Sequence, residues 1–351
     1  MAGMNSPRLI RVLVVDDSAF VRKVVKQMLQ RSPFVEVVGT ARDGQEALEL
    51  AEQHEPDVIT LDLIMPGMDG VEFLRRMMTR RPTPVVICSI AHESAELALA
   101  AFDAGAVEFV QKPTALATDR VFEMADELIS KVKAAAQVKM VRVTPQSPPA
   151  PQVPAWALQR QANVDVIAIG ISTGGPQALR SLIPALPADF PVPILVVLHM
   201  PVGYTELYAQ RLDQVSAVHV LEAREGDLLR GGTVFIAPAG RHMTIETRAE
   251  GEHRIHLDVR PFDTQHRPSV DVLFRSVADT FKERTLAVVM TGMGSDGVLG
   301  AAHIKAQGGR VITEAEESCV VYGMPRAVVE AALSDRSAAL PQLADVLLEL
   351  V

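Results

Sequence analysis

The chain has 351 residues, 48% apolar and 22% charged, with two cysteines and a net charge of −9. That length suggests two domains, and that composition excludes a disordered tract, a collagen-like repeat and a disulfide scaffold. Neither half carries a basic excess: 17 basic and 20 acidic residues precede Ala157 and 17 and 23 follow it, which argues against binding a phosphate backbone.

The first ten residues, MAGMNSPRLI, lack the basic-then-apolar form of a leader, and no run reaches the ~18 apolar residues of a membrane span. A cytoplasmic protein without membrane insertion is expected. Cys88 and Cys319 sit in apolar runs in different halves and are expected to be reduced core residues. No unexplained apolar stripe is evident, so a monomer is expected.

In chain order, apolar runs at 12–15, 35–38, 58–61, 85–88 and 108–110 alternate with helical patterns. Between the first two, Phe20, Val21, Val24, Val25, Met28 and Leu29 form one apolar helix face over 18–29. Five β-branched strands with intervening helices predict a parallel sheet covered on both faces, with function gathered beyond the carboxyl ends of the strands. The charges lie there. Asp16 and Asp17 follow the first strand, Asp62 the third and Lys112 the fifth. Lone acids at strand ends are usually caps, but three carboxylates and a lysine at one edge suggest a site for a hard cation such as Mg²⁺.

Residues 121–138 continue as a helix, with apolar Val121, Met124, Leu128, Ile129 and Val132. Five prolines then fall within ten residues, at 145, 148, 149, 151 and 154. Such a stretch neither continues a helix nor pairs as a central strand, so it predicts an extended, semi-rigid linker and a domain boundary near 134–158.

Beyond it, residues 164–170 read as a buried strand that turns through Ile171-Ser172-Thr173-Gly174-Gly175 into a helix opening at Pro176. Ser172 thus sits on a strand-to-helix corner near a positive dipole end. Alone, that glycine-rich turn is more simply a helix cap. Two further strands shift the balance. Residues 192–198, interrupted by Pro193, end in His199-Met200-Pro201. Residues 285–290 end in Thr291-Gly292-Met293-Gly294-Ser295-Asp296-Gly297. Ser172, His199 and Asp296 therefore all follow carboxyl ends of strands, where a parallel sheet lets a nucleophile, a base and an orienting acid converge.

Residues 242–248 and 253–259 alternate with period two across a polar turn and predict a solvated hairpin, whose His253 and His256 are not placed to bind a metal. Val270, Leu273, Phe274, Val277 and Phe281 form a core stripe of a helix.

These motifs carry two resemblances. VVDDS at 14–18, LDLIMPGMDG at 61–70, Ser89 and Lys112-Pro113 resemble a response-regulator receiver domain. That resemblance implies a flavodoxin-like (βα)₅ fold, phosphorylation of Asp62 by a histidine kinase, and Mg²⁺ held by Asp16, Asp17 and Asp62. It further implies that Lys112 contacts the phosphoryl oxygens and that Ser89 and Phe109 form the switch pair. Ile90-Ala91-His92 follows Ser89 where smaller residues are frequent.

GISTGG at 170–175, HMP at 199–201, the segment 222–242, HRPSVDVLF at 266–274, TGMGSDG at 291–297 and SCVVYGMPRA at 318–327 resemble the catalytic domain of the chemotaxis protein-glutamate methylesterases. The division is then a receiver over 8–134, a Pro-rich linker over 135–158 and a catalytic domain over 159–351, the last a doubly wound, mostly parallel α/β domain with a β-hairpin. The resemblance implies Ser172 as nucleophile, His199 as general base, Asp296 as its orienting acid, and backbone N–H groups of Met293 and Thr173 as oxyanion donors. It also implies phosphorylation-controlled hydrolysis of glutamate methyl esters on methyl-accepting chemoreceptors, with deamidation of receptor glutamines, without any cofactor for the hydrolysis itself. Ile171 stands where the family usually has alanine.

Overall fold

A computed structural model describes residues 8–89, 95–112, 118–138, 140, 164–249 and 251–351. The prolines at 145, 148, 149, 151 and 154 lie outside these residues, as do Pro113 and Ile90-Ala91-His92. The chain divides into two compact units, Met1–Pro145 and Gln146–Val351.

In the first unit the elements alternate strictly: β1 (Ile10–Val15), α1 (Ala19–Leu29), β2 (Val35–Ala41), α2 (Gly44–His54), β3 (Val58–Leu61), α3 (Gly70–Arg80), β4 (Val85–Ser89), α4 (Ala95–Asp103), β5 (Glu108–Gln111) and α5 (Thr118–Ala135). The strands form one parallel sheet in the order β2-β1-β3-β4-β5, the flavodoxin-like arrangement. Val12, Val14, Val58, Val86, Cys88 and Val110 face α1 and α5 in one core. Their alternates Leu13, Leu61 and Phe109 are equally buried and take the opposite face. Both faces are covered, which is why the central residues of the strands are mostly apolar on both sides.

One side chain departs from the sequence pattern. Phe20, expected on the core face of α1, is 55% exposed. The buried residues of that helix are Val25, Met28 and Leu29, and at about 100° per residue Phe20 lies more than 100° round the helix from the centre of their stripe.

The second unit runs β6 (Val166–Ile171), α6 (Gly175–Leu182), β7 (Ile194–Leu198), α7 (Thr205–Asp213), β8 (His219–Glu222), β9 (Thr233–Ile236), β10 (His242–Thr247), β11 (His253–Asp258), α8 (Val270–Phe281), β12 (Thr285–Val289), α9 (Val298–Ala306), β13 (Arg310–Glu314), α10 (Met324–Glu330), β14 (Arg336–Ala338) and α11 (Leu340–Leu350). A seven-stranded parallel sheet has the order β14-β13-β12-β6-β7-β9-β8. Strand β7 starts after Pro193, so the proline never has to donate to a ladder. From β6 the chain builds outward through β7, then returns to lay β12 on β6's other side, so the order reverses at β6.

The hairpin β10–β11 forms as the alternation predicts, but only one face is solvated. Met243, Ile245 and Ile255 join the core beneath α8, beside Leu273, Phe274 and Val277, and His242 is fully buried. Its period-two pattern marks two different faces; the inner one closes a hydrophobic layer that seven strands and their helices leave open. His253 packs on Phe281 with ring centroids 4.5 Å apart, and His256 Nδ1 lies 3.1 Å from Glu225. Both serve the scaffold.

Candidate functional sites

The first unit gathers its charges where strand order reverses, between β1 and β3. Asp16 and Asp62 are buried, at 2% and 6% exposure, and Asp17 is exposed beside them. Their carboxylate oxygens lie within 4.8 Å of one another. Lys112, just past β5, reaches across the edge: its Nζ is 2.5 Å from Asp16 Oδ2 and 2.7 Å from Asp62 Oδ2. Burial lifts the Asp16 carboxyl above its ordinary range despite Lys112. Burial also pulls on the Lys112 ammonium, yet the two carboxylates outweigh it and leave its pKa raised. The lysine is a fixed cation. Oxygen donors alone, clustered this tightly, are of the kind that suits a hard divalent ion, and Asp16, Asp17 and Asp62 could hold one.

Ser89 ends β4 and is buried, and its carbonyl accepts the Lys112 N–H at 2.9 Å. Phe109 is buried on β5. A residue the sequence reading passed over clamps it: Lys131 of α5 donates to the Phe109 carbonyl at 2.6 Å, and Glu108 accepts the Phe109 N–H at 2.7 Å.

The second unit repeats the logic on β12-β6-β7. Ile171 pairs with Leu198 across β6 and β7, so Ser172 and His199 are the next residues on adjacent strands, and the His199 N–H donates to the Ile171 carbonyl at 3.1 Å. On the other side the Ser172 N–H donates to the Thr291 carbonyl at 3.0 Å. All three segments leave the sheet at one edge. Ser172 is half-buried, and the turn after it needs its glycines: Gly174 has φ +77°, and a Cβ there would lie 2.5 Å from Val320 Cβ.

His199 Nε2 lies 3.0 Å from Asp296 Oδ2. The other ring nitrogen, Nδ1, is buried and has no hydrogen-bond partner among the described residues. Asp296 is held in turn by the start of α8: the Val270 N–H donates to Oδ2 at 2.8 Å, and the Asp271 N–H and Ser269 hydroxyl donate to Oδ1 at 3.0 Å each. Burial pushes this carboxyl up, but His199 and the backbone donors outweigh it and hold it at about 2. Asp296 is a permanent carboxylate that fixes a proton on Nε2 and leaves the Nδ1 lone pair uncommitted.

Met293 follows Gly292, which is packed tightly against the serine corner. A Cβ on Gly292 would lie 2.8 Å from Ser172 Cβ and nearer still to Met324 Sδ. Thr173 is buried behind the serine, its carbonyl accepting the Thr291 hydroxyl at 2.9 Å.

Three residues of this edge escaped the sequence reading. His266 stacks on the His199 ring, centroids 4.1 Å apart and planes 25° from parallel. Asp271 accepts the Gly297 and Gly300 N–H groups at 3.0 and 2.7 Å; an acid in the first turn after Ser269 is a capping signal that could have drawn attention to it. Glu314 is fully buried at the end of β13, and nothing in a β-branched run marks its last residue as more than a solvated turn. Both cysteines are free, Cys88 buried and Cys319 half-buried.

Comparison with known proteins follows the same division. The family described as CheB methylesterase matches residues 167–347, and the response regulator receiver domain matches 12–124. The chain is 50% identical over 332 residues to protein-glutamate methylesterase/protein-glutamine glutaminase 5 of Myxococcus xanthus, covering 94% of this chain and 95% of that protein. It is 49% identical over 336 residues to the protein-glutamate methylesterase/protein-glutamine glutaminase of Symbiobacterium thermophilum, covering 92% of each. The crystal structure of the CheB methylesterase catalytic domain of Thermotoga maritima superposes with a TM-score of 0.52 at 41% identity, over 54% of this chain and 99% of that one.

Proposed function

The chain belongs to the CheB methylesterase family, with a response-regulator receiver domain ahead of its catalytic domain, and from that premise we propose how its residues share the work. The substrates are γ-methyl esters of glutamates on methyl-accepting chemoreceptors, and receptor glutamines are deamidated at the same centre. Ser172 attacks the side-chain carbonyl while His199 Nδ1 takes its proton, and Asp296 orients the ring and stabilises the imidazolium. Backbone N–H groups of Met293 and Thr173 hold the oxyanion. The imidazolium then gives its proton to the leaving group, methanol from an ester or ammonia from an amide. Water, deprotonated by the same nitrogen, releases the glutamate and restores Ser172. The observation that supports this most directly is the buried, uncommitted Nδ1 of a histidine whose Nε2 is bound to a carboxylate.

The receiver supplies the control. Asp62 accepts a phosphoryl group from the chemotaxis histidine kinase in the cytoplasm, and this relieves the restraint that the unphosphorylated receiver places on the esterase. Asp16, Asp17 and Asp62 would hold Mg²⁺, which when bound neutralises charge on the phosphoryl oxygens. Lys112 transfers from the carboxylates to the phosphoryl group, and Ser89 and Phe109 follow its oxygens. Residues 135–158 join the receiver (8–134) to the catalytic domain (159–351). No helix among the described residues is long and apolar enough to cross a membrane, and the protein acts as a monomer.

The test is methanol release from membranes bearing methylated chemoreceptors, with and without acetyl phosphate and Mg²⁺. Release is expected to vanish in Ser172→Ala and to lose its stimulation in Asp62→Asn. Full release by Ser172→Ala would overturn the assignment of the nucleophile, and undiminished stimulation in Asp62→Asn that of the switch.

A further inference from the structure

Carboxylates are rarely buried without a cation, because the charge loses its hydration. Glu314 is fully buried, and the groups that reach its carboxyl are neutral. The Thr291 N–H donates to Oε2 at 2.9 Å and the Ser318 hydroxyl to Oε1 at 3.0 Å. Those two donors begin the two segments that shape the ground beside Ser172.

Thr291 opens the loop that carries Met293. Its carbonyl accepts the Ser172 N–H at 3.0 Å, and its hydroxyl donates to the Thr173 carbonyl and accepts the Val321 N–H, each at 2.9 Å. Ser318 opens the segment running to α10. There the Val321 carbonyl accepts the Gly292 N–H at 3.0 Å, and the Gly292 carbonyl accepts the N–H groups of Gly323 and Met324 at 3.1 and 2.8 Å. The two loops are thus laced together around Gly292, and one carboxyl group ties the root of both. Between those ties stand Gly292, Gly294 and Gly323, which contribute little stiffness of their own.

We propose that Glu314 is a positioning residue for ester hydrolysis: by holding Thr291 and Ser318, its carboxyl fixes the Gly292-Met293-Gly294 turn against the Ser172 corner. The inference rests on the esterase reading above, in which Met293 donates to the oxyanion. An oxyanion donor works only if it is in place before charge develops, so slack in this loop costs turnover more than substrate affinity. Burial lifts the Glu314 carboxyl above its ordinary range against the pull of its donors, Thr291 and Ser318 with a lesser contribution from the Cys319 thiol, which fits a group kept for its acceptor geometry.

The experiment uses the full chain activated by acetyl phosphate and Mg²⁺, with methanol release and hydrogen–deuterium exchange over residues 290–295 as paired readouts. Glu314→Ala is expected to lower kcat about 10- to 100-fold with KM within about threefold, and to speed exchange across that segment. In Glu314→Gln the amide oxygen still accepts the Thr291 N–H and the amide nitrogen donates to Ser318 Oγ, so most of the kcat and of the protection returns. Wild-type kcat in Glu314→Ala overturns the inference, as does a Glu314→Gln protein as slow as Glu314→Ala. Should Glu314→Ala fail to fold, Ser318→Ala releases one carboxyl oxygen; it is expected to lower kcat about threefold or more at steady KM, and unchanged kcat and exchange overturn the inference. Ser172→Ala is the control. If it is inactive and Glu314→Ala is not impaired, only the inference falls. If Ser172→Ala remains active, the esterase reading falls, and the exchange readout still tests Glu314.

Discussion

Asp271 and Asp296 each cap the helix that the other belongs to or precedes. Asp296 accepts the Val270 and Asp271 N–H groups at the start of α8, while Asp271, in the first turn of α8, accepts the Gly297 and Gly300 N–H groups at the start of α9. Two helix ends that would otherwise leave orphan donors are satisfied by one exchange of carboxylates, and the carboxylate that meets His199 Nε2 is pinned from both sides.

Removing half of that exchange should loosen the other half. Asp271→Ala is expected to cost roughly 1–2 kcal/mol of stability, the usual worth of a lost cap. It should also lower kcat about tenfold by freeing Asp296. Asp271→Asn retains an acceptor oxygen and should lie close to wild type. Urea denaturation and methanol release measure the two effects separately.

Acid should act on Asp296 late. Its pKa in the folded protein is about 2, against an ordinary 3.8. A depressed acid contributes stability that is complete above its unfolded value and is lost as pH falls from about 4 towards 2. The contribution is about 2 kcal/mol by that shift. Denaturation at pH 6 and pH 2.5 should show wild type losing its margin over Asp296→Asn at the lower pH. At neutral pH, Asp296→Asn should lower kcat by about 10³–10⁴, as loss of the orienting charge does in other triads.

Lys112 sits between two buried carboxylates, so its loss leaves them uncompensated. Lys112→Met is expected to destabilise the receiver unit by roughly 3 kcal/mol. Mg²⁺ should recover part of this, since a cation that binds only the folded site stabilises it. Thermal melts with and without millimolar Mg²⁺ give the answer: a melting temperature unmoved by the substitution contradicts this account of the cluster. Stimulation by acetyl phosphate should be lost in either case.

Gly292 tests close approach. Gly292→Ala drives a methyl into Ser172 and Met324. The expected result is a fall in kcat of about 100-fold with little change in KM, since the turn shifts where charge develops. Steady-state kinetics, with a melting curve to gauge the strain, checks it.

The five strands of the first unit and the three central strands of the second, though not the outer β8, β9, β13 and β14, were readable, and with them the edges on which function gathers, from β-branched runs and the residues that follow them. That is because a parallel strand must be apolar on both faces and polar only where it ends. Packing was less readable. Phe20 carries the right chemistry for a core, yet its angular position sets it outside. The hairpin's alternation was plain, while which face α8 would cover was not. Glu314 was invisible for a further reason: its role depends on Thr291 and Ser318, neighbours supplied by other loops, and no local pattern encodes them.

The sheet order also dictates when the enzyme can come into being. Ser172 and His199 lie on strands that follow one another in the chain, but Asp296 is 97 residues beyond His199 and enters beside β6 only when β12 docks against it. Pairings this distant form late and slowly. On the proposed triad, a nascent or truncated chain that stops short of β12 has a serine and an imidazole with nothing to set the ring, and the esterase stays silent until the chain has been made past Asp296.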